Sequence, residues 1–288
     1  MDNNFNEKNK TEPRTLYLVA TPIGNLSDIS ERAKKVLSEV DFVAAEDTRN
    51  ALKLLNVFGI RKETVSYYEH NKRSMGEKIV ERILGGDSCA LITDAGMPAI
   101  SDPGEDIVAL CADAGITVRI IPGCCAAVSA LALSALPTGR FCFEGFLPAV
   151  KNERKRALEE LKYEKRTMIF YEAPHKLVST LLDMKEVMGE GRRISLCREL
   201  TKLNEEVIRT TLAGACELYA QKEPRGEYVL VLEGTTEEPV KDDPLLSLSP
   251  EEHVKHYEAL GIEHKEAIKQ AAKDRGMKKS DFYSLLIK

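Results

Sequence analysis

The chain has 288 residues, 43% of them hydrophobic and 30% charged, a balance that supports a large buried core and leaves disorder to the ends. At this length two compact domains are the starting expectation. The formal net charge is −5, so bulk attraction to nucleic acid is excluded and any such role needs local basic patches. After a polar lead over 1–13, expected to be disordered, Thr15 to Ala20 reads as a buried strand running into the loop Thr21-Pro22-Ile23-Gly24-Asn25. Ala33, Val36 and Leu37 recur at helical spacing, so a helix capped by Asp28 or Ser30 extends to about Ser38. The alternation continues with strand 41–45, helix 50–58, strand 64–68, helix 75–84, strand 89–93, helix 105–114 and strand 117–121. Strands alternating with helices predict a parallel sheet covered by helices, with functional loops at the strands' carboxyl ends.

From Ala126 to Leu136 the residues are small and apolar, which predicts a buried helix. Strands are then expected at 141–146, 167–171, 194–198 and 228–233, with helices around 152–163, 176–188 and 212–221, making a second α/β domain of mixed sheet character. The expected organisation is a first α/β domain over 14–125, a second over 126–235, an acidic, Pro- and Ser-rich linker over 236–249, and a small helical appendage over 250–288. Seven cysteines without a CxxC pair, several inside apolar runs, read as reduced thiols rather than disulfides or a metal site, which fits a cytoplasmic protein without metal. No stretch is long and apolar enough to span a membrane, and no apolar leader is apparent, so neither membrane insertion nor secretion is expected.

Four Gly- or Pro-bearing loops follow predicted strands: Thr21 to Asn25, Asp94 to Gly104, Pro122 to Ala127, and Arg225-Gly226-Glu227. Such loops either bring main chain close to a ligand or are ordinary turns. Neither GxGxxG after the first strand nor GxxxxGK[ST] occurs, which disfavours dinucleotide and triphosphate cradles. Glu46-Asp47-Thr48-Arg49 after the second strand either works chemically or simply opens a helix, with Asp47 or Thr48 as its cap. His70 and Asn71 after the third strand, and Arg198, Glu199 and Lys202 after a second-domain strand, are further candidates with a solvated-surface alternative.

The motifs Val19 to Leu26, Ala45 to Arg49, Thr93 to Gly104, Phe143 to Pro148, Tyr171 to His175 and Cys197 to Lys202 together resemble the bacterial small-subunit ribosomal RNA cytidine 2′-O-methyltransferase family, part of the tetrapyrrole methylase superfamily. The likeness runs in consistent order from about Leu16 to Gly234. It implies two α/β domains with S-adenosylmethionine in the cleft between them, a homodimer, and 16S ribosomal RNA or the small ribosomal subunit as partner. By position, the resemblance makes Pro22 and Gly24 the first cofactor loop, Asp94, Gly96, Pro98 and Ser101 the second, and Cys125, Ala126 and Ala127 the third. Glu172, Leu212, Gly226 and Glu227 would close the pocket. Glu46, Asp47, Glu199 and Lys202 are the catalytic candidates, and Arg49, His70, Asn71 and Arg198 the substrate-binding ones. Two departures stand out: Met97 where relatives commonly carry Thr, and Cys125-Ala126 where they carry Pro-Ser. They keep a non-catalytic cofactor-binding module in view, beside C-methylation of a porphyrinoid.

The cations of Lys151 to Arg156, with Lys162, Lys165 and Arg166, suit either a solvated helix face or phosphate contacts. In the tail, Lys265, Lys269, Lys273, Arg275, Lys278 and Lys279 suit either an RNA contact or a small packed core ringed by lysines.

Overall fold

The computed structural model describes residues 10–238 and 244–286. In chain order the elements are β1 (Thr15–Val19), α1 (Glu31–Glu39), β2 (Phe42–Ala45), α2 (Thr48–Val57), β3 (Glu63–Ser66), α3 (Lys72–Leu84), β4 (Cys89–Ile92), α4 (Glu105–Asp113), β5 (Thr117–Ile121), α5 (Ala126–Leu133), β6 (Phe141–Phe146), α6 (Lys151–Leu161), β7 (Thr167–Glu172), α7 (Pro174–Met188), β8 (Arg193–Arg198), β9 (Glu206–Thr211), α8 (Leu212–Gln221) and β10 (Tyr228–Leu232). The helices α9 (Pro244–Ser247), α10 (Pro250–Ala259), α11 (His264–Asp274) and α12 (Lys279–Leu286) follow. The chain is an α/β protein with two five-stranded sheets and a helical C-terminal region.

The first sheet is wholly parallel, in the order β3-β2-β4-β1-β5. Side chains alternate across it, so one strand feeds two cores. Val43, Ala45, Ala90 and Ile92 pack with Val36 and Leu37 of α1 and Leu55 of α2. Phe42, Ala44, Cys89 and Leu91 face the other way, onto Ile79 and Ile83 of α3 and Ile107 of α4. Ser30 caps α1 by accepting from the Ala33 amide, which decides between the two predicted caps.

The second sheet is mixed, in the order β6-β7-β10-β8-β9, with β6 and β7 parallel and the remaining pairs antiparallel. Met168, Phe170, Leu196 and Leu230 pack on α6, α7 and α8, while Ile169, Val229 and Val231 pack on Ala127, Ala130 and Leu131 of α5. The expected buried helix at 126–136 is corrected here. It ends at Leu133, and only one side is covered, leaving Val128 and Leu133 exposed. Strand β9 was not predicted: as an edge strand it is only half-buried and mixes Glu206, Arg209 and Thr210 among its apolar residues.

Residues 10–13 of the predicted disordered lead are held in place, since Thr11 donates to Glu39 and Glu12 pairs with Arg119 at 2.7 Å; residues 1–9 lie outside the described residues. Of the predicted linker, 239–243 lie outside the described residues, and Pro244–Ser247 forms the helical turn α9. The C-terminal unit, 237–288, has its own core of Val254, Ala267, Ile268, Ala271, Ala272 and Phe282. Arg275 points inward and donates to the Nδ1 atom of buried His253 at 3.1 Å, whereas Lys265, Lys269, Lys273, Lys278 and Lys279 are exposed. Of the two readings of the tail, the packed core ringed by lysines is therefore formed. No helix among the described residues is long and apolar enough to cross a membrane.

Candidate active site

Parallel strands deliver their carboxyl-end loops to one edge of the first sheet. β1 and β4 are neighbours, and their loops are stapled together: the Thr21 and Gly96 amides each donate to the other's carbonyl, at 2.9 and 3.1 Å. The Thr21 hydroxyl donates to the Thr93 carbonyl at 3.2 Å. Beyond the staple the Asp94 to Gly104 loop doubles back, with Ala99 and Ser101 both at φ 65°. A Cβ on Gly104 would lie 2.9 Å from that of Ala99, so only glycine lets the loop fold this tightly.

A second clasp joins the β1 loop to the β8–β9 loop. The Asn25 amide donates to Thr201 Oγ1 at 3.1 Å. A Cβ on Gly24 would stand 2.5 Å from Lys202 Cγ. Glu199 and Thr201 take the left-handed conformation, at φ 51° and 64°, a cost of about 1–3 kcal/mol each that clusters at functional sites. Lys202 Nζ donates to Glu199 at 2.9 Å and to Glu227 at 2.8 Å, and Glu199 also accepts from the Glu227 amide.

Two cavities meet at this clasp. The first, about 440 Å³, has walls of Ala95, Gly96, Met97, Ala126, Ala173, Phe146 and Tyr171, with Ser101, Asp102, Cys125 and Glu172 as polar groups. The second, about 520 Å³, is lined by Pro22, Gly24, Asp47, Asn50, Thr93 and Asp94. Ile23, Ala95, Lys202 and Glu227 line both.

The structure thus brings Gly96, Ser101, Cys125, Ala126, Glu172, Glu227 and Lys202 together around the first cavity, and places Pro22, Gly24, Asp47 and Asp94 on the second. Pro98 and Ala127 are buried behind these walls, and Leu212 is fully buried in the core under α8, lining neither cavity. Gly226 packs against the Glu199 side chain. Asp47 caps α2 through the Arg49 amide and is chelated by the Arg49 guanidinium, so the helix-opening reading of this motif holds for both. Arg49 holds the Asp47 carboxyl down to about 2. Asn71 ties its own turn, donating to the Ser66 carbonyl and accepting from the Tyr68 amide, while His70 meets the Tyr68 ring; neither lines either of these two cavities. Arg198 pairs with Glu206 at 3.1 Å.

Charge in the cleft is uneven. Burial opposes ionisation of Glu199, but the Glu227 amide and the Lys202 ammonium prevail and hold its carboxyl below the usual range. Burial likewise works against the Lys202 charge, yet the Glu227 and Glu199 carboxylates raise its pKa. Glu46 is raised by burial and by the neighbouring Asp94 and Asp47. Asp102 is pushed up to about 6 by burial and by the Glu46 and Asp94 charges. Asp102, Phe146 and Tyr171 were not among the candidate residues, although all three stand inside motifs quoted for the resemblance, which was their available signal.

Within the basic run on α6, Arg154 departs from both expectations. Arg154 is buried and bonded to Asp183 of α7 at 2.6 Å and to the Pro148 and Ala149 carbonyls. Lys155 pairs with Glu186 and Arg156 with Glu160, so these cations serve the fold or its solvated face.

Comparison with known proteins gives the class first. The family model for Tetrapyrrole (Corrin/Porphyrin) Methylases matches residues 15–216, and the chain belongs to that family. The fold agrees: the Uroporphyrin-III C-methyl transferase of Thermus thermophilus, solved complexed with S-adenyl homocysteine, superposes with a TM-score of 0.53 at 18% identity, covering 76% of this chain and 97% of that one. Within the family the similarity is specific. The chain is 52% identical over 272 residues to the Ribosomal RNA small subunit methyltransferase I of Halalkalibacterium halodurans, covering 94% of each chain. It is 46% identical over 276 residues to the protein of the same name from Bacillus subtilis, covering 95% of this chain and 94% of that one.

Proposed function

We propose that this chain transfers the methyl group of S-adenosylmethionine to the 2′-oxygen of a cytidine ribose in 16S ribosomal RNA, with the small ribosomal subunit or its RNA as substrate. The observation that carries this reading is the meeting of two cavities at Lys202 and Glu227, one holding Phe146, Tyr171, Asp102 and Glu172, the other Asp47, Asn50, Thr93 and Asp94. The high identity to ribosomal RNA methyltransferases supports RNA over a porphyrinoid, because the likeness to the porphyrinoid enzymes is one of fold.

The first cavity fits the cofactor in size and chemistry. Ile23, Ala95, Ala126, Phe146 and Tyr171 offer apolar surface to a nucleoside, and Asp102 and Glu172 offer carboxylates to a cationic donor. Glu172 is fixed for this by accepting from the Ala173 amide and the Thr180 hydroxyl. When bound, the cofactor supplies the electrophilic methyl group. The protein supplies alignment and a proton acceptor. Lys202, held between two carboxylates on the seam of the cavities, keeps its charge and orients a ribose or phosphate oxygen. Met97, Cys125 and Ala126 line the cavity without closing it, which supports cofactor binding.

The same proposal includes the division into domains over 14–125 and 126–235, supported by the two separate sheets, with the 236–249 linker and the 250–288 appendage, supported by the separate C-terminal unit. A homodimer is supported by exposed Val128 and Leu133 on α5, and a cytoplasmic setting by seven free thiols. The test is transfer of label from S-adenosylmethionine to small subunits from a strain lacking the modification, followed by mapping of the methylated ribose. Cofactor binding without transfer would favour the binding module, and transfer only to a porphyrinoid would favour the small-molecule enzyme.

A further inference from the structure

We propose that Asp102 is the proton acceptor for the ribose hydroxyl, presented to the cleft as a carboxylate without a cationic partner by the doubled-back Asp94 to Gly104 loop. The inference rests on the methyltransferase reading above and adds a residue to it.

Most carboxyl groups of the cleft are already committed to partners. Asp47 is committed to the α2 cap and to Arg49. Glu199 is committed to Lys202 and the Glu227 amide. Glu172 is committed to Ala173 and Thr180, and Asp94 accepts from Asn50 at 3.0 Å. Lys202 donates to two carboxylates and has no free electron pair while charged. Glu46 and Asp102 are left without a hydrogen-bond or ion-pair partner among the described residues. Of these two, Asp102 lines the first cavity and Glu46 lines neither of the two described.

The loop explains how an unpaired acid is kept there. Left-handed Ala99 and Ser101 precede Asp102, and Gly104 closes against Ala99, so half-buried Asp102 sits on a tight turn between two constrained backbone positions. An independent sign that the cleft expects a ligand is Thr93. It lines the second cavity, is 3% exposed, and buries its hydroxyl without a partner, a cost that native proteins avoid unless something else supplies the bond.

In the step, the ribose O–H bond breaks toward an Asp102 carboxylate oxygen as the oxygen–methyl bond forms and the sulfur–methyl bond breaks, with its electron pair remaining on sulfur. The proton then leaves Asp102 for water. Asp102 stays ionised beside a positively charged donor, and its proton affinity returns as that charge is neutralised. The titratable groups facing it are Glu46, Asp94 and Tyr171, with Glu172, Lys202 and Glu227 on the same cavity. A carboxyl titrating near 6 lies close to the range in which a general base works best.

The test compares wild type, Asp102→Asn and Glu46→Gln in single-turnover transfer to unmodified small subunits across pH, with S-adenosylhomocysteine binding and thermal unfolding measured beside it. Asp102→Asn is expected to slow transfer by about 10²–10⁴-fold while the homocysteine product still binds. The wild-type rate should fall on an acid limb below about pH 6, because the bound cationic donor favours the carboxylate form of Asp102. Glu46→Gln should move that limb to lower pH, because it removes a like charge beside Asp102. A role confined to structure would leave the limb in place. Unfolding gives a readout apart from activity. The folded state holds the Asp102 proton more tightly than the unfolded chain, so ionisation costs stability as pH rises from about 4 to about 6. Asp102→Asn removes that loss, and its melting temperature should gain on wild type across the same window. Transfer that Asp102→Asn keeps at the wild-type rate, or an acid limb that survives the substitution, would overturn the inference while leaving the enzyme an rRNA methyltransferase. No transfer by wild type would overturn both readings.

Discussion

Replacing Arg154 by Met separates a structural cation from an RNA-binding one. The Arg154 guanidinium gives Nε and Nη2 to Asp183, at 2.8 and 2.6 Å, and Nη1 to the Pro148 and Ala149 carbonyls, at 3.3 and 3.0 Å. Both side chains are 5% exposed. The substitution leaves the Asp183 carboxylate buried without its cation, a loss of about 3–5 kcal/mol. In a unit of this size each kcal/mol moves the midpoint by about 2–4 °C, so calorimetry should show a fall of about 6–20 °C. The double variant Arg154→Met with Asp183→Leu removes both charges and should recover much of that loss, because a buried pair is worth little against an apolar replacement. What remains is the loss of donors to Pro148 and Ala149, about 0.5–1.5 kcal/mol each. Those carbonyls belong to the loop after Phe146, so cofactor affinity should weaken in step with stability. If Arg154→Met instead melts within about 0.5 kcal/mol of wild type, and lowers the salt dependence of RNA binding by about one charge, the guanidinium faces RNA and the buried-pair argument is wrong.

Three further outcomes follow from the same geometry. Lys202→Met should bind S-adenosylhomocysteine nearly as well as wild type in calorimetry while turnover drops by at least about tenfold; an equal loss of binding would show that Lys202 holds the cofactor rather than the substrate. Gly24→Ala places a methyl group 2.5 Å from Lys202 Cγ and 2.8 Å from Thr201 Oγ1, so it should reproduce the turnover defect of Lys202→Met, and full activity would show that the clasp yields without consequence. Ser249→Ala removes a capping box in which Ser249 accepts from the Glu252 amide and Glu252 from the Ser249 amide. It should cost the C-terminal unit about 1 kcal/mol in urea unfolding and leave cofactor binding unchanged. The Ser249 amide also holds the Glu252 carboxyl below its usual range. Alanine keeps that amide and loses only the smaller share supplied by the Ser249 hydroxyl; this share is present above the ordinary carboxylate pKa and fades as pH falls through the lowered one, so the variant should differ from wild type slightly less in strong acid.

What was legible in the sequence is what hydrophobic pattern alone decides. β2, β4 and β10 are buried on both faces, so they stand out as continuous apolar runs, and the loops after them follow. β9 escaped because an edge strand needs only half its residues apolar. α5 was readable as apolar, but which of its sides meets the second sheet depends on β7, β8 and β10. Arg154 misled for the same reason: a charge in a polar run says surface, and only a partner 29 residues away reverses it. Asp102 is the sharpest case. Asp-Pro-Gly ahead of a helix reads as a turn, and nothing local shows that the acid lacks a partner. That property is set by where cations of the cleft are engaged: Lys202 with Glu199 and Glu227, Arg49 with Asp47, and Lys176 beside Glu172. A general base that must stay unpaired is defined by the commitments of its neighbours, so it emerges only when the loops of both sheets are assembled around one cleft.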